Sequence, residues 1–210
     1  MNTSAVTPVN QEVQGLLSPW IRNLRLRCVG QKIPGGSVVL DLACGAGSLS
    51  EHLDPSCRYF GVDRIPFSRD LSTSVSREVQ LLNADLAEPE TPEAILKWMG
   101  CRPQVITMIA FLEHLKRPAD VVRTYASLLA PGGRILGTTP HPIGRRLHDS
   151  LARLYLCSRD GADEHEAFLG RDDLNQIAQD VGGRMTGYSR FLFGLNQFFE
   201  FSFSDAPVAR

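Results

Sequence analysis

The stretch from Val38 to Ser50, Val-Val-Leu-Asp-Leu-Ala-Cys-Gly-Ala-Gly-Ser-Leu-Ser, constrains the fold of this 210-residue chain more than any other. Val38 to Leu40 is an unbroken apolar and largely β-branched run, the pattern of a strand buried on both faces. Asp41 ends that run, and Gly45 and Gly47 follow, where backbone can approach a ligand that a Cβ would repel. Ser48 to Leu53 reads as the first turns of a helix. Strand, glycine turn and helix N-terminus together present unpaired N–H groups to an anionic ligand group.

Further strands and helices alternate behind it. Arg58–Asp63 reads as a second strand, Val79–Leu86 as a third strand with its exit, Gln104–Ala110 as a fourth and Arg134–Thr139 as a fifth. Between them, Thr91–Met99 is a short helix with Thr91 as a plausible N-cap and Pro92 in its first turn. Val121, Tyr125, Leu128 and Leu129 mark another helix, stopped by Pro131-Gly132-Gly133. Arg171 to Val181 is a helix, and Arg184–Phe193 and Gln197–Phe203 are strands joined by a hairpin turn at Gly194-Leu195-Asn196. Parallel strands separated by helices give an α/β, doubly wound sheet.

Two segments lie outside this alternation. Val13, Leu16, Leu17, Trp20, Ile21 and Leu24 recur at helical spacing, which predicts a helix over about residues 11–29 with a start or kink at Pro19. Ile143, Leu147, Leu151 and Leu154 predict a helix within a connection that is longer than the topology needs. That connection carries Arg145, Arg146, His148 and Arg153, either a solvated basic face or a lid with an arginine that reaches an anionic group. His165 lies in its acidic end, Asp163-Glu164-His165-Glu166.

Composition narrows the class. Apolar residues make up 43% and charged residues 21%, as in a globular chain that fits one domain. A net charge of −1 gives no electrostatic reason to expect nucleic acid as a partner. No apolar run reaches the length of a membrane span, and the polar start has no signal pattern. Five scattered cysteines without a C-x-x-C pair read as reduced thiols of a cytoplasmic chain, with no metal site.

The glycine turn admits two ligands. A dinucleotide fold wants G-x-G-x-x-G, and Ser50 stands where the third glycine belongs. The run Asp41-Leu42-Ala43-Cys44-Gly45-Ala46-Gly47 instead resembles the first motif of class I S-adenosylmethionine (SAM)-dependent methyltransferases, with Ala43 where many members carry glycine. Asp63, about 16 residues after Gly47, suits the hydroxyls of an adenosine ribose in either case. The segment Phe111-Leu112-Glu113-His114-Leu115 also resembles that family's stretch after the fourth strand.

The resemblance covers about residues 35–205. It implies a Rossmann-like, mostly parallel seven-stranded sheet with an antiparallel last strand and SAM as cofactor. It implies that Asp41 holds the glycine loop or the cofactor's amino group, among Ala43, Cys44, Gly45 and Gly47. Asp63 with Arg64 would take the ribose, Asp85 and Leu86 the adenine, and Ala110 and Phe111 the fourth-strand side. The N-terminal helix, residues 11–30, would cover the cofactor. Trp20 is then either core or pocket lining.

For a hydroxyl acceptor, His114 and His141 are the candidate general bases, since both lie at the carboxyl edge. Arg145 and His165 are candidate substrate contacts in the possible lid, residues 143–170. The compact chain favours a small or exposed acceptor over folded protein or long nucleic acid. The Thr139-Pro140-His141-Pro142 edge and the Gly194-Leu195-Asn196-Gln197 turn resemble bacterial methyltransferases acting on small-molecule, sugar or lipid-linked glycan acceptors, which implies such an acceptor, methylated by in-line displacement. The competing expectation is a module of the same fold that binds SAM or its product S-adenosylhomocysteine without turnover.

Overall fold

The computed structural model describes residues 18–65, 79–143 and 169–204. Arg145, His165, most of the expected lid and the first part of the expected N-terminal helix lie outside these residues. The seven strands are β1 (Val38–Leu42), β2 (Arg58–Asp63), β3 (Val79–Asn83), β4 (Val105–Ile109), β5 (Arg134–Pro140), β6 (Arg184–Phe191) and β7 (Asn196–Ser202). They form one sheet in the order β3-β2-β1-β4-β5-β7-β6. β1 to β5 pair in parallel, and β7 enters antiparallel between β5 and β6.

The alternation of side chains on these strands divides the core in two. Leu40, Phe60, Ile106 and Ile135 face α2 (Thr91–Met99), α3 (Pro118–Ala126) and α4 (Arg171–Asp180), with Ile95, Tyr125 and Leu174 filling the space. Val39, Tyr59, Val105 and Leu136 face the other way, toward Val29 of α1 (Ser18–Gly30), Leu49 and Leu53. α1 runs from the carboxyl edge of the sheet to its amino edge. Near its start Arg22 meets Ser48, and beyond its end the Lys32 carbonyl accepts from Arg134 at the start of β5.

The structure corrects the expected elements in four places. Ser48–His52 is a short 3-10 helix, closed by extended Leu53, and not the start of a longer helix. Asp54-Pro55 follows at once, so no length remains for an α-helix before β2. Thr91 does not cap α2; it is the helix's first residue, and its hydroxyl donates back to the Asp85 carbonyl at 2.6 Å. The β6–β7 turn falls at Leu192–Leu195, two residues before its expected start. Trp20 is 54% exposed and neither core nor cavity wall, because it sits in the first turn of α1.

Candidate functional site

In this strand order, β1 connects outward to β2 and β4 connects outward to β5. Their carboxyl ends therefore flank a switch point, where open α/β sheets bind ligands. Both strand exits turn there through a left-handed alanine, Ala43 with φ 56° after β1 and Ala110 with φ 51° after β4. A residue with a Cβ costs on the order of 1–2 kcal/mol in that conformation. Such strain concentrates where the backbone must make room. A cavity of about 580 Å³ opens at this point, with Ala43, Asp63, Arg64, Asp85, Leu86, Ala110, Phe111 and His114 in its wall. These eight are among the residues expected from the sequence. Ala87, Leu115 and Val121 complete the wall and were not foreseen.

The two carboxylates are held by backbone. Asp63 is buried at the end of β2 and accepts from the Gly45 N–H at 2.7 Å and the Ile65 N–H at 3.0 Å. It thereby ties the glycine loop to the second strand. Each oxygen has a second lone pair, so the group keeps capacity for a ligand hydroxyl. Asp85 is exposed, and its Oδ1 accepts from Ala87 at 2.9 Å. Its backbone is fixed from α2 by Thr91, and the Leu86 carbonyl is fixed from α3 by the Tyr125 hydroxyl at 2.9 Å.

Other expected residues are placed differently. Asp41, Cys44, Gly45 and Gly47 do not line the cavity. Asp41 is buried beneath the loop, where the Tyr59 hydroxyl donates to one oxygen at 2.7 Å and the Thr107 hydroxyl to the other at 2.6 Å. Burial pushes the Asp41 carboxyl up to about 6 against those two donors. Burial also raises the Cys44 thiol, with Asp41 and Asp63 adding to the shift, so this is no reactive thiolate. His141 is not in the wall either. Its Nδ1 accepts from the Ile143 N–H at 3.1 Å, and burial followed by the Arg190 charge lowers its basicity.

The pair Glu113-His114 divides between two environments. His114 is exposed and lines the cavity. Glu113 is 1% exposed, and neither carboxylate oxygen has a hydrogen bond of good geometry. Burial raises its carboxyl, with the charge of half-buried Arg25 opposing.

Arg22 also lies at the glycine loop, a placement that the sequence pattern does not mark. Its guanidinium donates to the Ser48 hydroxyl at 3.2 Å and lies 3.6 Å from the place a Cβ on Gly45 would occupy. The only sequence signal was an arginine on the helix that precedes the glycine loop. Among the described residues, no three His, Cys, Asp or Glu side chains gather as a metal cluster.

Comparison with known proteins gives the same direction. A family model described as a methyltransferase domain matches residues 12–186. The ubiquinone biosynthesis O-methyltransferase of Aeromonas salmonicida is 30% identical over 180 residues, covering 77% of this chain and 70% of that protein. The protein of the same name from Stutzerimonas stutzeri is 29% identical over 174 residues, 77% of this chain and 71% of that one.

Two solved structures share the fold at lower identity. An O-methyltransferase family protein from Burkholderia thailandensis superposes with a TM-score of 0.65 at 17% identity, over 90% of this chain and 57% of that one. The magnesium protoporphyrin IX methyltransferase of Synechocystis PCC 6803, with bound SAH, gives 0.62 at 16% identity over 97% of this chain and 90% of that one. With the first motif, the strand order and a family match over most of its length, this chain belongs to the class I SAM-dependent methyltransferases.

Proposed function

We propose that the chain transfers a methyl group from SAM to a hydroxyl oxygen of a small organic acceptor. The observation that carries this reading is the cavity at the switch point, with two backbone-anchored carboxylates, Asp63 and Asp85, in one wall. That donor set fits an adenosine. Asp63 takes the ribose hydroxyls, Asp85 the adenine amino group, and Leu86 packs beside the ring. Arg22, above the glycine loop, suits the carboxylate of the cofactor's amino-acid end. Asp41 supports the loop from below through Tyr59 and Thr107.

When bound, the cofactor's sulfonium supplies a methyl carbon that is already electrophilic. The chain then has to orient the acceptor in line, exclude water and remove a proton. His114 is at the cavity wall and is the residue proposed to take the acceptor's hydroxyl proton on its imidazole. His141, placed outside the wall, is not given that role. The choice of oxygen as acceptor atom follows the names of the two relatives, both O-methyltransferases.

The test is incubation with SAM carrying a labelled methyl group and a cell extract, followed by partition of the label. Label in the small-molecule or lipid-soluble fraction is expected, and His114→Ala should lower kcat by on the order of a hundredfold. Label in protein or nucleic acid would contradict the acceptor class. Tight S-adenosylhomocysteine binding with no transfer to any fraction would favour a binding module.

A further inference from the structure

Glu113 is a buried charge that the site described above does not use. It belongs to the short 3-10 helix Leu112–His114 after β4; His114 reaches the cavity wall, whereas Glu113 is 1% exposed and does not line it. Both of its carboxylate oxygens lack a well-formed hydrogen bond, as does the buried Thr139 hydroxyl beside it on β5. A buried carboxylate is costly unless a cation offsets it. The cation here is Arg25 of α1, whose guanidinium donates through Nε to Asn196 Oδ1 at 2.7 Å and whose charge acts on Glu113. Arginine keeps its proton in proteins, so this half-buried guanidinium in turn requires an anion. Among the described residues, Glu113 is the carboxylate whose charge reaches it. The pair joins the exit of β4 to α1, with Asn196 of β7 as third partner.

The first half of α1 depends on such a join. The apolar packing of this helix lies in its second half, where Leu26, Cys28 and Val29 meet the core. The first half has Trp20 in solvent and carries Arg22, three residues before Arg25 and so beside it on the helix surface. Polar contacts hold that half, Arg22 on the Ser48 hydroxyl at 3.2 Å and Arg25 on Asn196 and Glu113. A buried ion pair adds little stability over apolar residues of similar volume; what it fixes is the placement of the elements that carry it. Here that element is the stretch of α1 whose guanidinium lies against the glycine loop.

We propose that Glu113 is a positioning residue for the cofactor, one that seats the first half of α1 through Arg25 and thereby places Arg22 over the glycine loop. This role rests on the reading of the cavity as the cofactor's site and of Arg22 as the partner of its carboxylate. Glu113 itself lies outside the cavity wall and acts only through α1.

The test is calorimetric titration of the full chain with S-adenosylhomocysteine, beside a thermal melt of each variant. Glu113→Gln should weaken binding roughly tenfold and lower Tm, because it leaves the Arg25 charge unpaired. Glu113→Gln combined with Arg25→Met removes both charges and should restore Tm, while its affinity stays about tenfold down because α1 has lost its seat. Should Glu113→Gln fail to fold, this charge-free variant carries the same comparison. Arg22→Ala should weaken binding by a similar factor, and adding the two charge-removing substitutions to it should cost no further affinity. Affinity that recovers together with Tm in the charge-free variant would reduce Glu113 to a structural role and overturn the proposal. So would unchanged affinity in the charge-free variant, or a further loss on the Arg22→Ala background. A wild-type chain that binds no S-adenosylhomocysteine would instead refute the cofactor reading, and this role with it.

Discussion

Ala43 and Asp63 show how much the site depends on single residues. The sequence treats Ala43 as a tolerable stand-in for glycine, yet its φ of 56° places a Cβ where L-residues are strained. Ala43→Gly should therefore raise unfolding free energy by up to about 1 kcal/mol, with the greater freedom of glycine in the unfolded chain offsetting part of the gain. A urea titration with unchanged slope would check it. Asp63 was visible in the sequence as an acid after the second strand. That it also anchors Gly45 and Ile65 was not, since those bonds depend on how the loop folds back over β2. Asp63→Ala should then cost about 1–3 kcal/mol of stability in the same titration, besides weakening ligand binding. Arg22 is not legible in the sequence, since the apolar spacing of α1 marks only its buried face and a lone arginine carries no periodic signal.

At the scale of elements, the buried runs of β2, β4 and β5 marked their strands to within a residue at each end, because both faces of each are covered and the apolar pattern is continuous; β1 runs two residues past the expected end at Leu40, through buried Asp41 to Leu42. Connections were harder to read. The glycine of Gly194-Leu195 drew the expected turn toward itself, whereas the chain turns through Leu192 and Phe193. The 3-10 helix at Ser48–His52 has a helix-like sequence but too little length before β2. Asp41, Tyr59 and Thr107 join β1, β2 and β4 through hydroxyl–carboxylate bonds that no local pattern announces. They carry a pH signature. With the Asp41 carboxyl pushed up to about 6, the folded chain binds that proton more tightly than the unfolded one. Its contribution to stability is full below about pH 4 and is lost as pH rises through 6, on the order of 2–3 kcal/mol. Asp41→Asn should flatten the stability curve over that window in denaturant titrations at several pH values. An unchanged slope would assign the pH dependence to other groups.

Over the whole molecule, the doubly wound sheet was readable because strands and helices alternate, and the antiparallel last strand was implied by the family resemblance; the order β3-β2-β1-β4-β5-β7-β6 is visible only in the folded chain. What joins the two ends of the 144–168 connection was not. The buried Gln197 amide donates to the carbonyls of both Pro140 and Leu169, while its own carbonyl accepts from Tyr188 at 2.9 Å. Only the folded sheet brings those residues to one glutamine. The same folding gathers the strand exits into one cavity, the proposed seat of the cofactor. Calorimetric titration with S-adenosylhomocysteine tests it most directly. The expected result is binding of one ligand per chain, weakened tenfold or more in Asp63→Ala by loss of the ribose hydrogen bonds. Unchanged affinity in that variant, or tighter binding of NADH than of S-adenosylhomocysteine, would contradict it.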